Sequence, residues 1–138
     1  MILYTGKLSQ AYPGDVGWDL YTQETITFEP LKPYKISTGV KLQLPSNIYA
    51  QVVPRSGLSL KGFIVVTGTI DSGYRGEIGV ICYTMQPFTV KKGMKIAQLV
   101  FHEKVQEAMC YRYEISNNSE RGERGFGSSD EKCKKNQV

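Results

Sequence analysis

An all-β domain of the sandwich or jelly-roll kind is what this sequence predicts, and three observations carry the expectation. Several segments alternate apolar and polar residues with period two. The cleanest is Lys35 to Leu44, where Ile36, Thr38, Val40, Leu42 and Leu44 share one face against Lys35, Ser37, Lys41 and Gln43. Helical periodicity is nearly absent. Turn residues recur between the alternating runs, at Pro13-Gly14, Pro30 to Pro33, Pro45-Ser46-Asn47, Ser72-Gly73 and Lys91-Lys92-Gly93. Many short strands punctuated in this way favour stacked antiparallel sheets over an α/β fold.

Taken in order, strands are expected near Val16 to Tyr21, Thr25 to Phe28, Lys35 to Leu44, Ile48 to Val53, Phe63 to Thr67, Glu77 to Thr84, Lys95 to Phe101 and Val105 to Ile115. One short helical turn fits just after Pro54. From about Ser116 the alternation stops, and the tail to Val138 holds polar and charged residues, glycines, Phe126 and Val138. Such a segment cannot bury enough area to order itself. The expected organisation is therefore one β domain over residues 1–115 and a flexible C-terminal arm over 116–138. A lone Phe126 among Gly122, Gly125 and Gly127 needs a reason.

Size and composition narrow the function classes. A chain of 138 residues suits one domain, and 41% hydrophobic with 22% charged residues is ordinary globular composition. No apolar run approaches a membrane span, and Met1 to Lys7 lacks the pattern of a secretory signal. The expected location is cytoplasmic, or host-cell cytoplasm for a viral or phage chain, with the nucleus open. Cys82, Cys110 and Cys133 are three widely spaced thiols, which indicates neither a disulfide framework nor a CxxC metal site. The single histidine, His102, removes multi-histidine zinc sites. A formal charge of +4 suits a polyphosphate ligand as well as an unremarkable basic protein, and the aromatics do not interleave with a basic stripe as nucleic-acid binding would require.

Three segments carry possible chemistry. In Val53-Pro54-Arg55-Ser56-Gly57-Leu58-Ser59 a proline-fixed turn precedes forked donors on Arg55, a hydroxyl on Ser56, and Gly57, which lets the backbone approach a ligand. Such a turn suits a phosphate. Gly68 to Glu77, GTIDSGYRGE, gathers an acid, an aromatic and an arginine about what reads as a tight hairpin. There Asp71 would orient a water and accept its proton, and Tyr74 would offer a flat surface to a sugar. Arg121 to Ser129, RGERGFGSS, is a glycine-rich strip with guanidinium, aromatic ring, hydroxyls and exposed backbone donors, as in a lid. Its spacing matches neither the Walker loop nor the dinucleotide fingerprint. Each segment also has a plain alternative: a surface turn, an Asp-Ser-Gly turn with a structural tyrosine, and an inert linker.

Together these segments resemble the five ordered motifs of the trimeric dUTPase family. AYPGDVGWDL (Ala11 to Leu20) resembles the first, PRSGLS the second, GTIDSGYRGEIGV the third, KKGMKIAQLVF the fourth and RGERGFGSS the fifth, all in order over residues 11–129. The resemblance implies a distorted jelly-roll, or β-clip, subunit in a homotrimer whose active sites are shared between subunits. It implies hydrolysis of dUTP to dUMP and pyrophosphate with Mg²⁺, limiting uracil incorporation into DNA and supplying dUMP for dTMP synthesis.

Residue by residue, Asp71 resembles the family's catalytic aspartate, which aims water at the α-phosphorus. Tyr74 resembles the tyrosine beneath the deoxyribose that excludes a 2′-hydroxyl. Arg55, Ser56, Gly57 and Gln98 resemble phosphate contacts. Arg121, Gly127, Ser128 and Ser129 resemble contacts of the arm, and Phe126 the ring that covers uracil. Backbone groups around Val66 to Ile70, Gly68 and Ile70 among them, would read the base. Asp19 would lie near the metal-bound phosphates, with Mg²⁺ held by phosphates and waters rather than by protein ligands. No nucleic-acid or membrane partner is implied.

Three departures from the family pattern stand out. The stretch between PRSG and Asp71 is short, Gly73 replaces a common acidic residue, and Arg124 and Asp130 stand where glycines are frequent. The nearest enzymatic rival is dCTP deaminase, but Ile81 occupies the place of its deaminating glutamate. A rival of another class is a nucleotide-responsive binding protein, which would tolerate Asp71→Asn.

Overall fold

The structure, a computed structural model, describes residues 1–105 and 110–127. By its contacts the chain divides into two units, Met1–Gln106 and Glu107–Val138. The first holds twelve strands and one short helix among the described residues. No described helix is long and apolar enough to cross a membrane.

Four antiparallel sheets make up the first unit. The largest has five strands: β2 (Leu8–Ser9), β3 (Gly17–Tyr21), β12 (Lys95–Glu103), β7 (Ile48–Val53) and β9 (Gly68–Ile70), hydrogen-bonded in that order. A second sheet orders β5 (Tyr34–Ser37), β10 (Gly79–Thr84) and β8 (Phe63–Val65). Two ribbons complete it: β1 (Leu3–Thr5) with β6 (Lys41–Gln43), and β4 (Ile26–Phe28) with β11 (Phe88–Val90). The all-β expectation holds, and the helical turn expected after Pro54 is α1, Ser56–Leu60.

Inward-facing members of the strands form a single apolar cluster. Leu20, Ile36, Val40, Ala50, Phe63, Val80, Ile96, Ala97 and Leu99 have no exposed surface. Phe28 meets Tyr34 and Phe63 edge to face at centroid distances of 4.8 and 5.6 Å, the arrangement aromatic quadrupoles favour. Cys82 is part of this core, and burial pushes its thiol up to about 11, so it packs as a small apolar group.

The structure departs from the sequence expectations in four places. The run Lys35 to Leu44 buries the expected face, with Ile36, Thr38, Val40, Leu42 and Leu44 all inward, but its ladder breaks between Ser37 and Lys41. Gly39 turns the chain there with φ of 71°. Strands β1, β2, β9 and β11 were not expected; each has two or three residues, too few to display a period. The segment carrying Asp71 is not a hairpin, because β9 pairs with β7 whereas β10 pairs with β5 and β8. It crosses from one sheet to another. Finally, no strand forms over the described part of Val105 to Ile115. Tyr111, Tyr113 and Ile115 are 78%, 88% and 95% exposed, and alternation without a sheet edge to pair with does not make a strand.

Candidate active site

The PRSG turn closes one end of the five-stranded sheet. Val53, the last residue of β7, lies opposite Gln98 on β12, and Gln98 in turn lies opposite Asp19 on β3. Pro54 ends the strand, and α1 begins at Ser56, anchored by the buried side chain of Leu58 and by the Ser59 N–H and hydroxyl, both donating to the Arg55 carbonyl at 3.1 Å. A cleft of about 750 Å³ opens here, lined by Asp15, Gly17, Asp19, Arg55, Ser56, Gly57, Lys61, Lys95 and Gln98 among others.

Asp19 is 9% exposed and lies between two cations: Arg55 Nε is 3.5 Å from its Oδ1, and Lys95 Nζ is 3.2 Å from its Oδ2. The carboxylate thus fixes the positions of both positive groups at the cleft wall. With Lys61, three cations face two carboxylates, so the cleft keeps an excess of donors and positive charge for an anion. Gln98 crosses the face of Gly17, where any Cβ would collide with its amide, and donates from Nε2 to the Pro54 carbonyl at 3.0 Å. No atom lies within 4 Å of where a Cβ on Gly57 would sit, so packing within the chain does not demand glycine there. The open space suits a ligand approaching the backbone.

A bulge explains why Lys95 and Gln98 share this wall. Three positions apart on a regular strand, they would point to opposite faces. The register with β3 shifts between Lys95 and Ala97, so Ile96 and Ala97 are both buried and the alternation resets. Neither Lys95 nor Lys61 was singled out from the sequence: the bulge that brings in Lys95 leaves no signature in composition, and Lys61 lies past the PRSGLS segment, at the end of α1.

Asp71 and Tyr74 lie elsewhere. They line a smaller hollow of about 190 Å³ with Lys35, Thr69, Ile70, Glu77, Ile78 and Gly79. Asp71 follows the last residue of β9 and is exposed; among the described residues no side chain pairs with its carboxylate in an ion pair or hydrogen bond. The Tyr74 N–H donates to the Asp71 carbonyl at 3.1 Å, closing the turn. Its phenol folds over Gly76, which a Cβ would obstruct, and donates to the Glu77 carbonyl at 2.9 Å. The ring is left 45% exposed, with a face available to a ligand. Gly68 and Ile70, the expected base readers, belong to β9 beside this hollow.

The cleft and the hollow are at opposite ends of β7. Ala50 lies opposite Ile70, so Asp71 falls level with Tyr49, whereas Arg55 lies past Val53 at the other end. At about 3.3 Å per residue their levels differ by roughly 15–20 Å.

The arm, as a separate unit, is described through residues 110–127. Arg121 and Arg124 close a tight loop, each Nε donating to the other's carbonyl at 2.9 Å. Phe126 is fully exposed with φ of 51°, in the left-handed region a bulky side chain rarely adopts, and Gly127 follows at 100°. Ser128 and Ser129 lie outside the described residues.

A family model described as dUTPase matches residues 5–130, nearly the whole chain and every segment just placed. The chain belongs to the dUTPase family. The deoxyuridine 5'-triphosphate nucleotidohydrolase of Clostridium novyi (strain NT) is 47% identical over 129 residues, 87% of each protein. The human mitochondrial enzyme of the same name is 39% identical over 120 residues, 82% of this chain and 46% of that one. Among solved dUTPase structures, that of Staphylococcus bacteriophage 80alpha with dUPNHPP superposes with a TM-score of 0.82 at 26% identity, covering 93% of this chain and 97% of that one. Native EIAV dUTPase superposes with a TM-score of 0.73 at 30% identity, covering 86% and 99%. The jelly-roll architecture of the dUTPase family is thus the fold of this chain.

Proposed function

We propose that this chain carries out its family's reaction, hydrolysis of dUTP to dUMP and pyrophosphate, at sites that each combine the cleft of one copy with the Asp71 hollow of another in a homotrimer. The carrying observation is the separation of the two halves. A base acting through one water on the α-phosphorus, and the groups holding the adjoining phosphates, must lie within about 10 Å of one another. On one chain their backbone levels differ by roughly 15–20 Å by strand register, which favours a second copy bringing them together. The five-stranded sheet offers a surface for that association. Tyr49, Gln51 and Val53 of β7 and Gln98, Val100 and His102 of β12 alternate outward and are only half-covered within the unit.

In this reading Arg55, Ser56, Gly57, Lys95 and Gln98 hold the phosphates. Asp71 holds a water in line with the bond to pyrophosphate; the water oxygen bonds to the α-phosphorus as that bond breaks, and Asp71 takes the proton. The unpaired state of its carboxylate among the described residues leaves its lone pairs to the water. Tyr74 packs under the deoxyribose, and the backbone of Gly68 and Ile70 reads uracil. Phe126 covers the base, an occupant that accounts for a fully exposed ring on a strained backbone, with Arg121, Gly127, Ser128 and Ser129 closing over the phosphates.

Mg²⁺ is the implied cofactor. Among the described residues no group of three or more His, Cys, Asp or Glu side chains could hold a metal, and both Asp19 oxygens already face cations. That donor set fits an ion carried on triphosphate oxygens and waters, with Asp19 nearby and no protein cage. When bound, the ion would neutralise phosphate charge as pyrophosphate departs. Deamination has no support, since β10 reads GVICYT and offers no carboxylate.

Mixing tests the shared site. Asp71→Asn and Arg55→Ala homotrimers should each lose activity, and co-assembly in equal amounts should restore about a quarter of the sites with both halves intact. If co-assembled trimers recover nothing, each site lies within one chain and the proposal fails.

A further inference from the structure

Resting on the reading of Asp71 as the base, we infer that Lys104 is a positioning residue that ties the Asp71 turn to the rest of the domain. The turn needs such a tie. Asp71 to Gly76 joins strands of two different sheets, so no ladder partner fixes it from either side. Its local bonds, from the Tyr74 N–H to Asp71 and from Arg75 Nη1 to the carbonyls of Ser72 and Tyr74 at 2.7 and 3.3 Å, hold the turn together, and the Tyr74 hydroxyl ties its far end to the Glu77 carbonyl, but none of them attaches the Ser72 end beside Asp71 to the rest of the domain. Gly73 loosens it further. Neither packing nor backbone conformation asks for glycine there: nothing lies within 4 Å of a Cβ at that position, and its φ is outside the left-handed region.

Lys104 supplies an attachment at that Ser72 end. Its Nζ donates to the Ser72 hydroxyl at 2.7 Å across 32 residues of sequence. The lysine's own base is secure, because it follows the end of β12 and its N–H donates to the Asn47 carbonyl at 2.7 Å. Register explains the reach. With Ile70 and Phe101 both opposite Ala50, Ser72 falls level with Glu103, the last residue of β12 and the neighbour of Lys104, separated from it by the width of β7. Two strand spacings, about 10 Å, are spanned by an extended lysine side chain meeting a serine hydroxyl. Lys104 therefore reaches past the end of β7 and fixes Ser72, the neighbour of Asp71, without touching substrate.

Small misplacement of a general base costs turnover rather than binding. Lys104→Met and Ser72→Ala should each lower kcat on dUTP about tenfold, with KM and the thermal midpoint unchanged. Because they break one bond, the double variant should lose no more than either alone. Lys104→Arg, which keeps a cationic donor, should recover most of the rate. The inference is overturned if Lys104→Met keeps wild-type kcat, if the loss falls on KM or on the thermal midpoint instead, or if the two single losses multiply. Asp71→Asn measured alongside separates the two levels. Turnover that survives it defeats the assignment of Asp71; turnover lost there but intact in Lys104→Met and Ser72→Ala defeats only the tether.

Discussion

The two halves of the proposed site are held by opposite means. In the cleft, several of the side chains assigned to phosphate binding are engaged within the chain itself: Asp19 lies between Arg55 and Lys95, Gln98 lies against Gly17 and on the Pro54 carbonyl, and Leu58 is buried under the helical turn. In the hollow, Asp71 stands exposed on a turn between sheets, with its carboxylate unengaged among the described residues. Phosphate binding needs donors at fixed positions, which a partly buried counter-charge provides. General base catalysis needs a carboxylate whose oxygens are available to water, and internal partners would defeat it. In the proposed site, fixed side chains are thus concentrated where phosphate would be bound, and an unengaged carboxylate stands where a proton would be taken.

The sharpest way to break this contrast is to remove one carboxylate from each half. Asp71→Asn should reduce kcat on the order of a thousandfold while a non-hydrolysable dUTP analogue still binds, since no internal contact is lost. Asp19→Asn should do the reverse: two cations lose their counter-charge, binding weakens, and unfolding becomes easier by about 1–3 kcal/mol. Steady-state kinetics, analogue titration and thermal melts of both variants check this. Equal effects on KM and midpoint in the two would show that the halves are built alike.

Removal of the chain from Arg121 onward comes next in size. The first unit has its own core and should melt as before, while turnover falls on the order of a hundredfold as the exposed Phe126 and the arginine loop are lost. An undiminished rate after truncation would refute a lid. Gly17→Ala should act more weakly and only on the cleft. The added Cβ collides with the Gln98 amide, the far end of a flexible side chain, and displaces it from Pro54 at little cost to stability, so KM should rise with little change in kcat. A variant crystal structure with Gln98 unmoved would contradict it.

Legibility from sequence followed the same division. β3, β7, β10 and β12 each run five to nine residues, long enough for alternation to be read, and the face of Lys35 to Leu44 was legible even where its ladder broke. Arg55, Ser56, Asp71 and Tyr74 were legible because turns concentrate unusual residues at short spacing. What was hidden depends on pairing across the chain. Lys95 joins the cleft through a bulge, Lys104 meets Ser72 only because β12 and β9 flank β7, and β9 exists because β7 offers an edge. The alternation of Tyr111, Tyr113 and Ile115 misled for the same reason, since a strand is a property of two segments and only one is in the sequence window.

The smallest expected effect concerns pH and lies at the rim of the hollow. Glu77 accepts bonds from the Ser37 hydroxyl and, at 2.8 Å, from the Gly39 N–H, joining the Asp71 segment to the corner between β5 and β6. These two donors, the hydroxyl first, hold its carboxyl below the usual carboxylate range, with Lys41 and Lys35 adding to them against the opposing effect of burial. A carboxyl whose value is lower folded than unfolded stabilises the fold fully above its unfolded value, and that contribution is lost as pH falls through the folded one. The wild-type midpoint should therefore drop more steeply on acidification below the usual carboxylate range than that of Glu77→Gln, which begins lower at neutral pH and has no such charge to lose. Parallel curves would mean that the solvent-exposed carboxylate contributes nothing to the join, and that the hollow depends still more heavily on the attachment of its turn.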